Sequence, residues 1–139
     1  MRRTLPSAFL AVAFACTTFA TSNYEYRPDE YVPIHHGVSP DRRYAIAAHG
    51  SGYLGYDHFQ LYLVDAKTRK PLAGLKEPKD PFVDTGADAY YAQWSPDSKE
   101  VSVIFRAERH KLVRLRYRIV NGRAHLVEHR TQVQALPRD

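Results

Sequence analysis

The pentapeptide His125-Leu126-Val127-Glu128-His129 has the His-x-x-Glu-His order in which two imidazoles and a carboxylate can serve a hydrolytic zinc. That chemistry needs both histidines on one helix face, one turn apart, so that a single ion reaches both. Here the run follows Asn121-Gly122, the strongest short hairpin signal, because both positions accept positive φ. The segment therefore reads as the returning strand of a hairpin. Four residues at about 3.3 Å each set the two rings roughly 13 Å apart on one face, whereas zinc–nitrogen bonds are about 2 Å long. His49-Gly50-Ser51-Gly52 places a serine among glycines. A nucleophile elbow needs glycine two before and two after its serine, between a strand and a helix, and those positions hold His49 and Tyr53. Asp80, Asp84 and Asp88 lack the ligand pattern and central glycine of a calcium loop. These motifs predict no catalytic residue, no metal and no cofactor.

Two polar stretches carry side chains suited to binding. Gly50 to His58 holds Tyr53, Tyr56, Asp57 and His58 among glycines, and Arg106 to Lys111 holds Arg106, Arg109 and His110. Aromatic and arginine side chains dominate binding hot spots, and loops on a rigid scaffold are where binding usually sits. In a four-stranded meander the connection between strands two and three lies at the end where the chain enters the next unit, here Asp84 to Asp88. The two stretches are therefore expected to form one mixed aromatic and basic surface. It would take an anionic or polar partner, protein or glycan. The competing expectation is of ordinary solvated loops. Trp94, preceded by Tyr90 and Tyr91, is expected in the core rather than on a ligand platform, because large aromatics commonly fill β cores.

The elements that must position these residues read as short strands. Phe59, Leu61 and Leu63 alternate with Gln60, Tyr62 and Val64; Val101, Val103 and Phe105 share a face; Leu115, Tyr117 and Ile119 alternate with Arg114, Arg116 and Arg118. Tyr44 to Ala48, Leu72 to Leu75, Ala89 to Trp94 and Arg123 to His129 complete the strand-like runs. Pro28 and Pro33 argue against helix in the Tyr24–Pro33 lead-in. Glu77-Pro78-Lys79-Asp80-Pro81 reads as a linker, since two prolines and three charges cannot continue a ladder. The predicted core includes Trp94, Phe105, Leu115, Tyr117 and Ile119.

The chain also repeats itself. Val38-Ser39-Pro40-Asp41 returns 56 residues later as Trp94-Ser95-Pro96-Asp97, and the same offset carries Leu61–Asp65 onto Tyr117–Asn121. A fixed period of this length marks a repeated β unit. The stretches Val38 to Ala48 with Leu61 to Asp65, and Trp94 to Ile104 with Tyr117 to Asn121, resemble TolB-type and related WD-like β-propeller repeats. The family often has glycine after the aspartate, where this chain has Arg42 and Ser98. The resemblance implies two blade-like units, at about 31–76 and 86–130, and a role in protein interaction. A propeller closes with about four to eight blades. Two units instead predict an all-β domain of two four-stranded antiparallel meanders packed together, sandwich-like or as a partial propeller. A monomer is expected.

Arg2 and Arg3, the apolar run Leu5 to Cys16 and the small residues Ala20 to Ser22 form a secretory-signal pattern at 1–22. The run is too short to span a bilayer comfortably, and no transmembrane segment is expected after cleavage. Residues 23–139 would then form one exported domain, periplasmic or secreted. Lipid attachment at Cys16 is the less favoured alternative, because Phe14 fits a lipoprotein signal poorly. Without Arg2 and Arg3 the chain keeps 18 Lys and Arg against 15 Asp and Glu, and no cysteine follows Cys16. The remaining domain therefore has no disulfide, and its mild, scattered basicity is not the footprint of a nucleic-acid binder. Three functions are compatible with these readings: a non-catalytic envelope binding module, a small secreted hydrolase with an unrecognised site, and a structural subunit assembling through sheet edges.

Overall fold

The computed structural model describes residues 23–78, 84–108 and 111–133. Residues 1–22, expected to be a secretory signal and including Cys16, lie outside these residues, as do Asp80 and part of the Glu77–Pro81 stretch. The described chain is all-β. Its strands are β1 (Val32–Val38), β2 (Tyr44–Ser51), β3 (Asp57–Asp65), β4 (Pro71–Gly74), β5 (Tyr90–Trp94), β6 (Glu100–Glu108), β7 (Lys111–Val120) and β8 (Arg123–Val133). Short 3-10 turns stand at Tyr53–Gly55 and Ala87–Ala89.

The strands form two four-stranded antiparallel meanders, β1–β4 and β5–β8, joined where β1 runs parallel to β5 with His35 opposite Tyr91. The result is one curled sheet in the order β4-β3-β2-β1-β5-β6-β7-β8, a half-barrel whose outermost strands β4 and β8 approach each other. Curling lets one face of both meanders enclose a single core. Ile46, Leu61, Leu63 and Leu75 from the first meet Tyr90, Val101, Val103, Leu115 and Tyr117 from the second. Phe105 is buried with them. Trp94 and Ile119, expected inside, are only partly buried and pack against the cluster's rim. The indole Nε1 of Trp94 donates to the Gly37 carbonyl at 2.9 Å, so this residue pins β5 to β1.

The two Ser-Pro-Asp turns are built alike. Ser39 Oγ donates to Asp41 Oδ1 at 2.6 Å and accepts from the Tyr44 amide at 3.1 Å; Asp41 Oδ1 also accepts from the Arg43 amide. Ser95 Oγ donates to Asp97 Oδ1 at 2.6 Å and accepts from the Glu100 amide at 3.0 Å; Asp97 Oδ1 accepts from the Lys99 amide. Side-chain oxygens thus satisfy amides that the ladder leaves unpaired at the turn. Arg42 and Ser98, where glycine is the easier residue, both take left-handed φ near 60°. Those hydrogen bonds hold Asp41 and Asp97 below the usual carboxylate range, the serine hydroxyl being the largest cause in each.

The 56-residue offset does not survive past the second strand. Ala45 pairs with Val64 and Val101 pairs with Tyr117, so the position matching Tyr117 is Val64, 53 residues earlier, rather than Leu61. The cause is the Tyr53–Gly55 turn, which lengthens the β2–β3 connection relative to β6–β7.

Candidate functional site

The stretch around Tyr53 is more ordered than a loop of glycines suggests. β2 runs on to Ser51 and β3 begins at Asp57, so Asp57 and His58 stand on a strand and only Gly52 to Tyr56 connect them. Gly50 and Gly55 fit together without side chains: a Cβ on Gly50 would strike the Gly55 carbonyl. Gly55 has φ 71°, which glycine adopts freely, and is buried against Tyr24 and Tyr26. Thr85 Oγ1 donates to the Leu54 carbonyl at 2.6 Å and accepts from the Tyr24 amide at 3.1 Å, while the Tyr26 hydroxyl donates to the Thr85 carbonyl. The lead-in, this turn and the segment entering β5 are therefore locked to one another. Burial pushes the Tyr26 phenol well above its ordinary pKa.

On this framework Tyr53 is 77% exposed and Tyr56 48% exposed. Asp57 and His58 are also exposed, His58 with φ 53°. A groove of about 580 Å³ opens beside them, lined by His58, Phe59, Gln60, Tyr62, Leu75, Lys76 and Pro78. Gln60 Nε2 donates to the Leu75 carbonyl at 2.8 Å across its floor. Arg106 is exposed on β6, opposite Leu112, and belongs to a strand rather than a loop. β2 and β6 run in the same direction, so Tyr53 and Arg106 lie at the same end of the sheet with β1 and β5 between them. Arg109 and His110 lie outside the described residues.

His125 and His129 do not share a face, contrary to the simple strand spacing. Arg116 pairs with Glu128 and Tyr117 with Leu126, so Val127 is an extra residue in β8. Such a bulge reverses the alternation. His125 stands opposite outward-facing Arg118, and His129 opposite core-facing Leu115. Among the described residues no group of three or more His, Cys, Asp or Glu is arranged to hold a metal ion.

Two clusters on the outer face were not singled out from sequence. Tyr31 stacks on His49 at 4.4 Å, with Tyr62 edge-on to Tyr31 at 5.2 Å, over buried Ala45, Ala47 and Val64. His49 Nδ1 donates to the Glu30 carbonyl at 2.6 Å. Burial raises the Tyr62 phenol pKa. Nothing in the sequence marks this cluster, because Tyr31, His49 and Tyr62 are distant in the chain. The second cluster is the arginine row of β7. Its alternation Arg114-Leu115-Arg116-Tyr117-Arg118 is legible in the sequence, but its acidic flanks come from β6 and β8.

No protein-family profile matches this chain, and neither a curated protein nor a solved structure shows significant similarity to it. Among the described residues no helix is long and apolar enough to cross a membrane.

Proposed function

We propose that this protein is an exported, non-catalytic binding module of the bacterial envelope, engaging a protein or polar glycan through the Tyr53 end of its sheet. The observation that carries this reading is the placement of Tyr53: a ring 77% exposed to water, on a turn whose backbone is fixed by Thr85 and by the Gly50–Gly55 contact. An aromatic side chain held outward on a rigid base loses little conformational freedom on binding and offers a large contact area. The resemblance to TolB-type repeats points the same way, toward protein interaction.

The test uses the chain as bait in an envelope extract, beside the double variant Tyr53→Ala/Tyr56→Ala. The variant is expected to lose the partners that the wild type captures while melting at nearly the same temperature. Equal capture by the folded variant sinks this surface.

A further inference from the structure

Among the described residues, the outward face of β6–β8 carries more positive charge than its ion pairs neutralise. Arg114, Arg116 and Arg118 project from β7 on the side opposite Leu115 and Tyr117. Alternate residues of a strand stand about 6.8 Å apart. Among the described residues two carboxylates serve this row. Glu100 on β6 contacts Arg116 at 3.3 Å and Arg118 at 3.5 Å; Glu128 on β8 contacts Arg116 at 3.2 Å and Arg130 at 2.7 Å. Three guanidinium groups thus share two acids. Among the described residues Arg114 binds a neutral acceptor, Gln93 Oε1 at 2.6 Å, and it stands directly across from Arg130. Like charges directly opposite destabilise an antiparallel pair, and the fold retains this one.

We infer that this row binds a linear polysaccharide bearing sulfate or phosphate groups, laid along β7. The inference rests on the reading of the protein as a binding module, but places a second binding surface away from Tyr53. Guanidinium groups recognise such anions through paired N–H donors. Glu100 and Glu128 flank Arg116 on both sides, so the positive charge is narrowed to β7 there and widens onto β8 only at Arg130, a stripe rather than a broad field. A linear chain follows a stripe; the two-dimensional array of anions on a lipid surface would also meet the carboxylates. No aromatic side chain interleaves with the arginines on this face of β7, as base stacking on a single-stranded nucleic acid would require.

The experiment measures binding of the full chain to dextran sulfate, with uncharged dextran and phosphatidylglycerol vesicles as further probes. Salt-sensitive binding to dextran sulfate and none to dextran is expected. The variant Arg114→Gln/Arg118→Gln should raise Kd about tenfold or more. Arg27→Gln/Arg69→Gln, equal in charge but elsewhere, should bind like the wild type, as should Tyr53→Ala/Tyr56→Ala. Absent binding, an equal loss in the charge-matched control, or Arg114/Arg118-dependent binding to the vesicles alone would each overturn the inference. Loss in the tyrosine variant alone would overturn it too, by assigning the polyanion to the Tyr53 end.

Discussion

The backbone amide of Asp41 donates a 3.0 Å hydrogen bond to the Oγ of Ser98, so the turn of the first meander is fastened to the corresponding turn of the second. Ser98 is buried and carries left-handed φ near 60°. Arg42, its counterpart, has the same φ but an exposed side chain. One position therefore trades backbone strain for an inter-meander bond, and the other makes no such bond among the described residues.

Substitutions at these two positions should act in opposite directions. Arg42→Gly removes the steric cost of a left-handed residue and should stabilise the fold by about 1 kcal/mol. Ser98→Ala keeps that cost and leaves the Asp41 amide without its acceptor, a loss of about 1–2 kcal/mol. Urea melts of the two variants check both signs.

Trp94 should divide its contribution between packing and its indole N–H. Trp94→Phe retains most of the ring but loses the bond to the Gly37 carbonyl, costing about 1 kcal/mol. Trp94→Ala also removes the rim packing and should cost about 3 kcal/mol. Equal losses in denaturant melts would show that the seam depends on the hydrogen bond alone.

Stability should fall in acid through the turn aspartates. Hydrogen bonds from Ser39 and Ser95 lower the Asp41 and Asp97 pKa values, and the Thr68 and Lys67 amides lower that of Asp65. A depressed folded-state pKa contributes stability that is complete above the unfolded value, here near 3.8, and is lost as pH falls through the folded value. The acid limb of a Tm–pH profile should therefore begin below about pH 4. It should flatten in Asp41→Asn/Asp97→Asn.

The alkaline limb has a separate cause. Desolvation raises the Tyr26, Tyr90 and Tyr117 phenols above the ordinary 10.0. A raised folded-state pKa gives stability that is complete below the unfolded value and is lost as pH rises toward the folded one. Melting temperature should decline from about pH 10 upward. The phenolate absorbance of these three residues should appear together with unfolding rather than before it. Tyr117→Phe, which loses the 3.0 Å bond to the Glu77 carbonyl, should lower stability by about 1 kcal/mol while removing one of the three groups.

Alternation alone determined that Phe59, Leu61 and Leu63 face one way, that Val101, Val103 and Phe105 do likewise, and that Asn121-Gly122 turns a hairpin; Asn121 and Gly122 indeed have φ of 50° and 71°. Those properties are set within a few residues, by side-chain size and by which backbone angles each residue tolerates. The sequence also marked Tyr53, Tyr56, Asp57, His58 and Arg106 as polar and aromatic positions, because side-chain chemistry does not depend on the fold.

How the two meanders meet is set by contacts between distant segments of the chain. Ala45 and Val101 stand at the same distance beyond their Ser-Pro-Asp turns, yet Ala45 lies in the outer cluster and Val101 in the core. The parallel junction of β1 with β5 extends the meanders in opposite directions from one seam, which exchanges the inner and outer faces of equivalent strands. Backbone hydrogen bonds make that junction, and they carry almost no side-chain signature. The acids flanking the β7 arginines, the bulge at Val127 and the lock of Thr85 on Leu54 arise likewise from pairing between distant segments, which no local pattern of residues specifies.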